Sequence, residues 1–336
     1  MTKPKAAFFN QNTSQNSKLY EVYGRGRREK VDELTDLYPN IVTLENFDEH
    51  AANLQDLEVI FSTWGMPKLT EEQIAQLPAL KAVFYGAGSV KGFAPSFLKH
   101  GITVVSAWAA NAVPVAEFTL AQILLACKGY FQNTREFNDP EIPYWGAHRG
   151  PGVYGEKIAL IGAGQIGRKV VELLKPFQLD ILVVDPFLSD ADAAAMEVTK
   201  VALEEAFSEA YVVSNHLPNL EHLKGMLNQP LFESMRVGAT FINTGRGAQV
   251  DENALIETFK KRPDLNALLD VTFPEPATED SELRTLPNVQ LTTHIAGSIN
   301  DEVLRMADYV IEEFQRWRDG KPLQYSVTLE MLENMA

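Results

Sequence analysis

Short apolar runs, many of them β-branched, alternate with polar amphipathic segments along the whole chain. In the first half the runs are Ala6–Phe9, Ile41–Leu44, Glu58–Thr63, Lys81–Gly86 and Thr103–Ala107, with segments such as Arg28–Tyr38 and Thr70–Leu77 between them. This rhythm predicts βαβ units and a parallel sheet covered by helices. The second half restarts it with Lys157–Ile161, Ile181–Asp185, Tyr211–Ser214, Thr240–Asn243, Leu265–Asp270 and Val289–Thr293. Two longer amphipathic helices are expected, from Val115 to about Tyr130 and from Asn300 to about Arg318. The second runs into Asp319-Gly320-Lys321-Pro322, a helix stop. The tail beyond it is too short to be a domain and is expected to pack on the first sheet. The pattern therefore predicts an α/β chain of two doubly wound parallel-sheet domains. The second, residues 112–298, is inserted into a discontinuous first, residues 1–111 and 299–336.

Composition narrows the function. The chain has 336 residues, 45% hydrophobic and 22% charged, enough for sizeable cores and unlike a disordered chain. Its 45 acidic against 30 basic residues leave a net charge of −15. That argues against a grip on nucleic-acid phosphates and against an anionic membrane surface. Cys127 is the only cysteine, so no intrachain disulfide can form and a reducing compartment is expected. Met1 to Asn12 holds two lysines but no apolar run of signal-peptide length. The most apolar stretch, Ala107 to Cys127, is interrupted by Asn111, Pro114, Glu117 and Gln122 and does not read as a spanning helix. The expectation is a cytoplasmic protein with neither a membrane nor a nucleic-acid partner. Arg25, Arg27 and Arg28 read as a solvated face near a helix start. Asn138 to Gly155, rich in Pro, Gly and aromatics, reads as a long excursion.

Gly162-Ala163-Gly164-Gln165-Ile166-Gly167 is a G-x-G-x-x-G set between an expected strand and an expected helix, Arg168–Lys175. Glycines there allow a tight turn and let backbone amides approach a pyrophosphate at the helix N-terminus. Such loops are followed about 20 residues on by an acid at the end of the next strand. Asp185 stands 23 positions after Gly162. It can accept hydrogen bonds from ribose hydroxyls and repels a 2′-phosphate, and no Lys or Arg lies between it and Lys200. NAD is favoured over NADP.

Ligands of open α/β sheets bind beyond the carboxyl ends of the strands. Just past the last three expected strands lie Arg246, Glu275 and His294, a cation, a carboxylate and an imidazole at one sheet edge. Singly, each is more often a surface cation, a turn residue and a loop histidine; together, behind a dinucleotide loop, they form a constellation. Arg246 can fork onto a 2-keto acid's carboxylate and polarise its carbonyl, and His294 can donate the proton as hydride arrives. Glu275 beside His294 would orient the ring and stabilise its protonated form. Cys127, on an apolar helix, reads as core rather than nucleophile. His50, His100, His148 and His222 show no metal-ligand spacing, so no metal is expected.

These stretches resemble the D-isomer-specific 2-hydroxyacid dehydrogenase family. The family's NxxRGxxVDE matches Asn243 to Glu252, its LDVxxxEP matches Leu269-Asp270-Val271 through Glu275-Pro276, and its HIAG matches His294 to Gly297. Gly86-Ala87-Gly88, the hinge Asn111 to Glu117 and His216-Leu217-Pro218 match as well. The resemblance implies a Rossmann NAD-binding domain inserted into a flavodoxin-like substrate domain, an active site in the cleft between them, and a homodimer. It implies that Ala87, Gly88 and Ser89 bring backbone amides to the substrate carboxylate. Thr244 and Asp270 would line the nicotinamide, with Arg246, His294 and Gly297 beside it and His216 and Pro218 along the cofactor. Trp64 and Met66 follow a first-domain strand where relatives line the substrate pocket, although core packing explains them nearly as well. Tyr144 and Trp145 lie in the excursion that often reaches the partner subunit in relatives. The chain departs from the family at Gly245, where alanine or serine is usual, and at Ser89, where an acid or asparagine often stands.

The implied function is hydride transfer between NAD(H) and a small 2-keto or D-2-hydroxy acid, as in glyoxylate/hydroxypyruvate reductases or D-lactate dehydrogenases. Formate dehydrogenases of this scaffold typically put glutamine at the position of Glu275, which favours keto-acid chemistry here. Phosphoglycerate dehydrogenases often carry an additional C-terminal domain, for which the 38 residues after Ser298 are too few, yet short forms exist. The alternative from another class is an NAD-sensing, corepressor-like binding protein on the same scaffold.

Overall fold

Buried apolar runs become the strands of two separate sheets in the computed structural model, which describes residues 3–334. Residues 1, 2, 335 and 336, at the two ends of the expected first domain, lie outside the described residues. The chain divides into one unit of Met1–Asn111 with Ser298–Ala336 and another of Ala112–Gly297. The first unit begins with β1 (Lys5–Phe8), β2 (Asp36–Leu37), β3 (Val59–Ser62), β4 (Ala82–Tyr85) and β5 (Thr103–Ser106). The second holds β6 (Tyr154–Ile161), β7 (Gln178–Val184), β8 (Thr199–Lys200), β9 (Val212–Asn215), β10 (Thr240–Asn243), β11 (Asn266–Leu269) and β12 (Val289–Leu291). A last short strand, β13 (Ser326–Val327), belongs to the first unit again.

The first sheet runs β13-β5-β4-β3-β1-β2 and the second β12-β11-β10-β9-β6-β7-β8. Every pairing is parallel except β13 with β5. These are the flavodoxin-like and Rossmann doubly wound orders, each extended at one edge. Helices cover both faces, so β3, β4, β9, β10 and β11 are buried at every position and read as continuous rather than alternating apolar runs.

The C-terminal helix Leu304–Arg318 joins the first core through Phe314, whose ring meets Phe61 and Phe84 edge-on at 5.3 and 5.5 Å. The buried Glu313 of this helix accepts the backbone N–H groups of Gln324 and Tyr325 at 2.8 and 3.0 Å. That anchor turns the chain back so that β13 can pair with β5.

Three expected elements differ. Ile41–Leu44 makes only a single bridge, Val42 to Phe9, and the strand beside β1 is Asp36–Leu37, inside the expected helix. The helix stops at Leu34 because Thr35 turns extended and its hydroxyl donates back to the Val31 carbonyl at 2.7 Å. Beyond Val42 the chain is pulled away by a reciprocal Thr43–Asn46 turn. The helix expected from Val115 begins at Trp108 and runs unbroken to Cys127, with Pro114 inside it. Proline removes a hydrogen bond there rather than ending the helix. This helix is long and apolar enough to cross a membrane, with a mean hydropathy of 1.4, yet Ala116, Ile123, Ala126 and Cys127 pack into the second unit's core. The strands β8 and β13, two residues each, are too short for any periodicity to show.

Candidate active site

The second unit's sheet ends in a phosphate-binding cradle. β6 finishes at Ile161 and Gly162 follows at φ +102°, a conformation that L side chains rarely adopt. A Cβ on Gly167 would run into the Gly162 carbonyl oxygen, so only glycine lets the helix Gln165–Leu174 start this close to the strand. At the open side, a Cβ on Gly164 would meet nothing. Gly164 and Gln165 are exposed, and the first N–H groups of the helix, at Gln165, Ile166 and Gly167, have no intrahelical acceptor. Asp185, one residue past β7, accepts the N–H groups of Ala163 at 2.7 Å and Phe187 at 2.8 Å. It therefore fixes the loop and keeps lone pairs for hydroxyl donors. These residues fit a dinucleotide pyrophosphate.

Beyond β10, β11 and β12 the chain places Arg246, Glu275 and His294. His294 Nδ1 lies 2.5 Å from Glu275 Oε1, with 45% and 38% of the two side chains exposed. Glu275 sits between two cis prolyl peptides, Phe273–Pro274 and Glu275–Pro276. Arg246 and Glu275 face one cavity of about 420 Å³, whose walls include Asn219, Lys224, Ala248 and Phe273. Burial pulls the Arg246 pKa below the usual arginine range and the Glu275 carboxylate pulls it back. Arginine nevertheless stays charged. Its Nη1 donates to its own neighbour's carbonyl, Gly245 O, at 2.7 Å.

Two buried polar devices hold these groups, and neither was anticipated as such. The first is an amide hub. Gln249 accepts from Asn215 Nδ2 at 2.6 Å and from Arg246 N at 3.2 Å, and donates to the carbonyls of Leu217 and Pro218 at 2.9 and 2.6 Å. Asn243 accepts from Asn215 and Gly245 N and donates to Arg246 O. The available signal was an asparagine ending each of two apolar strands. The second is Asp270, only 3% exposed. Its carboxylate accepts Thr292 Oγ1 at 2.6 Å, Ile295 N at 2.8 Å and Ala296 N at 2.9 Å, while its carbonyl accepts His294 N at 3.1 Å. The residue expected to line the nicotinamide thus clamps the loop on which His294 stands, and Gly297 follows that clamp.

His216 is buried, with Nε2 2.9 Å from Ser214 Oγ and Nδ1 3.2 Å from Thr244 Oγ1. Both ring nitrogens are engaged within the protein. Desolvation pushes its pKa down to about 3. What residue 216 presents to the phosphate loop is its carbonyl, 3.2 Å from where a Gly162 Cβ would sit. Pro218 contributes its carbonyl to Gln249. Cys127 is buried, and burial with Glu156 pushes its thiol up to about 12, which leaves it inert at neutral pH.

In the first unit, Ala87, Gly88 and Ser89 follow β4. Ser106 Oγ donates to the carbonyls of Ala87 and Gly88, at 2.9 and 2.5 Å. The N–H groups of Gly88 and Ser89 donate to no protein acceptor among the described residues, which leaves them free for an anion. Trp64 is half-buried and its carbonyl accepts Asn10 Nδ2 at 2.9 Å. Met66 packs in the first core, so its thioether serves packing. Among the described residues, no cluster of three His, Cys, Asp or Glu is placed to hold a metal.

A family model described as D-isomer specific 2-hydroxyacid dehydrogenase, NAD binding domain, matches residues 120–296. D-3-phosphoglycerate dehydrogenase of Bacillus subtilis (strain 168) is 29% identical over 268 residues, 78% of this chain and 50% of that protein. Mitochondrial formate dehydrogenase 2 of Oryza sativa subsp. japonica is 30% identical over 277 residues, 80% of this chain and 72% of that protein. The chain spans about half the length of the phosphoglycerate dehydrogenases it matches. Among solved structures, a phosphoglycerate oxidoreductase from Rhizobium etli shares the fold, with a TM-score of 0.82 at 22% identity over 98% of this chain and 100% of that one.

Two outcomes follow from the clamp and the buried histidine. Asp270→Asn sets an amide donor against the Ala296 N–H, or against Ile295 and Thr292 if flipped, and should cost about 1–3 kcal/mol. Amide exchange across residues 292–297 should rise; unchanged protection would remove Asp270 as the clamp. For His216, the unfolded chain takes up a proton below about pH 6.5, while the folded chain resists until about pH 3. Stability is therefore full above that window and falls by about 1.4 kcal/mol per pH unit within it. Urea midpoints against pH should fall less steeply for His216→Gln than for the wild type; parallel slopes would count against a neutral buried ring.

Proposed function

Since the chain belongs to the D-isomer-specific 2-hydroxyacid dehydrogenase family, we propose that it interconverts a small 2-keto acid and the corresponding D-2-hydroxy acid, with NAD(H) as the hydride carrier. The observation that carries this reading is the His294–Glu275 pair at 2.5 Å, on the same sheet edge as Arg246 and the phosphate cradle. A bound nicotinamide supplies or accepts the hydride. Arg246, released from Gly245 O, forks onto the substrate carboxylate and polarises the neighbouring carbonyl. His294, held at Nδ1 by Glu275, uses Nε2 to give a proton to the carbonyl oxygen during reduction and to take it back during oxidation. Glu275 offsets the imidazolium charge and keeps the ring oriented. The amide hub fixes the backbone of Arg246, and the Asp270 clamp fixes that of His294, so both groups are preorganised before the substrate arrives.

Asp185 supports NAD over NADP, because a carboxylate beside the ribose repels a 2′-phosphate. Formate as substrate is less well supported, since Glu275 with His294 is a proton-handling pair that formate oxidation does not need.

The same reading makes the chain a homodimer through its excursion. Tyr144 and Trp145, 64% and 78% exposed, stack edge-on at 4.8 Å, and Phe137 meets Tyr144 at 5.9 Å. An aromatic patch of this kind suits a protein interface. Light scattering that reports a single chain at micromolar concentration would count against it.

Initial rates of NADH and NADPH oxidation with glyoxylate, hydroxypyruvate, pyruvate and phenylpyruvate test the activity. Turnover with NADH is expected. His294→Ala should lower kcat by about 10²–10⁴-fold, and Arg246→Ala should lower kcat/KM by about 10²-fold or more. Both variants should still bind NADH. Undiminished turnover in His294→Ala would remove the proton-donor role, and preference for NADPH would remove the reading of Asp185. Tight NADH binding without turnover of any acid would replace the enzyme by an NAD-sensing protein.

A further inference from the structure

We infer that Arg28 anchors a second anion site, located in the first unit, that takes a small carboxylate- or phosphate-bearing molecule. Arg25, Arg27 and Arg28 lie together in the sequence, but their side chains do different things. Arg25 pairs with Asp301 at 2.6 Å, and Arg27 forks onto Asp308 at 2.7 and 2.6 Å. The Arg28 guanidinium makes no ion pair and no hydrogen bond among the described residues. It lies instead over the rings of Phe8, at 4.8 Å, and Tyr20, at 5.3 Å.

That guanidinium faces a cavity of about 350 Å³ lined also by Thr13, Asn40, Asn46 and His50. Among the described residues no carboxylate lines it, in a chain with 45 acidic and 30 basic residues. The cavity opens past the carboxyl ends of β1 and β2, the edge at which parallel α/β sheets take ligands. Its walls are preset. Asn46 is held by Thr43 N at 2.7 Å and by Ile41 O at 3.1 Å, and His50 Nδ1 lies 2.9 Å from the Tyr38 hydroxyl, leaving Nε2 unengaged. The N–H groups of Thr13, Asn40 and Ile41 donate to no protein acceptor among the described residues. A cation fixed between aromatic faces, ringed by donors and free of acids, is built to receive a fork of anionic oxygens.

Arg246 and the Gly162–Gly167 phosphate cradle are separate anion-binding groups in the other unit, so the test begins from an Arg246→Ala background with the cradle filled by saturating NADH. The full-length protein is titrated with inorganic phosphate, with citrate and with glycerol, at ionic strength matched by sodium chloride, and read by calorimetry and thermal shift. Phosphate or citrate, and not glycerol, should bind and raise Tm; which of the two binds more tightly identifies the ligand as phosphate-like or carboxylate-like. Adding Arg28→Gln should weaken binding by about tenfold or more. If that variant does not fold, Thr13→Glu, which places a carboxylate at the exposed rim without touching the Arg28 packing, should abolish binding. Absence of binding beyond the sodium chloride control, or equal affinity in Arg28→Gln or Thr13→Glu, would overturn the site.

Discussion

A parallel sheet covered on both faces leaves almost no room for polar side chains within its strands, and this constraint shapes everything else in the second unit. β9, β10 and β11 are buried along their whole length. The few polar side chains of these strands stand at or next to their ends, Ser214 and Asn215 on β9, Thr240 and Asn243 on β10 and Asn266 on β11. There, backbone N–H and C=O groups that no longer have a ladder partner must still be satisfied. Asn215, Asn243 and Asp270 stand at those ends and supply the missing partners. The carboxyl edge is thus both the place where polar side chains are needed for structure and the place where reactive side chains can be held. The candidate site grows out of that double requirement.

The Asp270 clamp shows what such support is for. His294 has φ +58°, a left-handed conformation that costs a non-glycine residue of order 1–3 kcal/mol. A carboxylate that accepts two backbone N–H groups and a hydroxyl in a buried setting offsets a cost of that size, since hydrogen bonds to charged groups are worth about 1.5–3 kcal/mol each. The loop is thereby held in a shape it would not adopt alone, and that shape brings His294 Nδ1 to Glu275. Arg246 is treated the same way through uncharged amides. In both cases the group proposed to react is exposed enough to meet a substrate, while its backbone is fixed by residues that never need to.

Much of this could be read from the sequence. The two sheets, the phosphate loop and the positions of Arg246, Glu275 and His294 follow from periodicity and from what stands just past each apolar run. Other features have no local signature. Apart from the bond between Gln249 and Arg246 N, three residues back, Asp270 and Gln249 act through partners 22 to 34 residues away, and nothing in their immediate neighbours distinguishes a clamp from a ligand. Thr35 ends a helix through one hydroxyl, and the strand that follows pairs over only two residues. Pro114 reads as a helix breaker because propensity is local; packing of Ala110 into the first core and of Ala116 and Ile123 into the second overrides it. The three clustered arginines differ only in which partners the fold brings to them.

A net charge of −15 suggests repulsion of an anionic substrate, yet distance decides. In water, a unit charge about 10 Å away contributes about 0.4 kcal/mol, and salt screens it further over a Debye length of about 8 Å. An arginine about 4 Å from a carboxylate, at the reduced dielectric near a protein surface, is worth about 4 kcal/mol before desolvation costs. One well-placed guanidinium therefore outweighs many scattered carboxylates, provided that no acid neutralises it completely. Arg246 is partly buried, with Glu275 near enough to act on it but engaged with His294, and it meets that condition. Arg25 and Arg27 do not, because each is already spent on an aspartate. In an acidic chain, the capacity to bind anions is thus set by which arginines the fold leaves unpaired, a property of tertiary structure and not of composition.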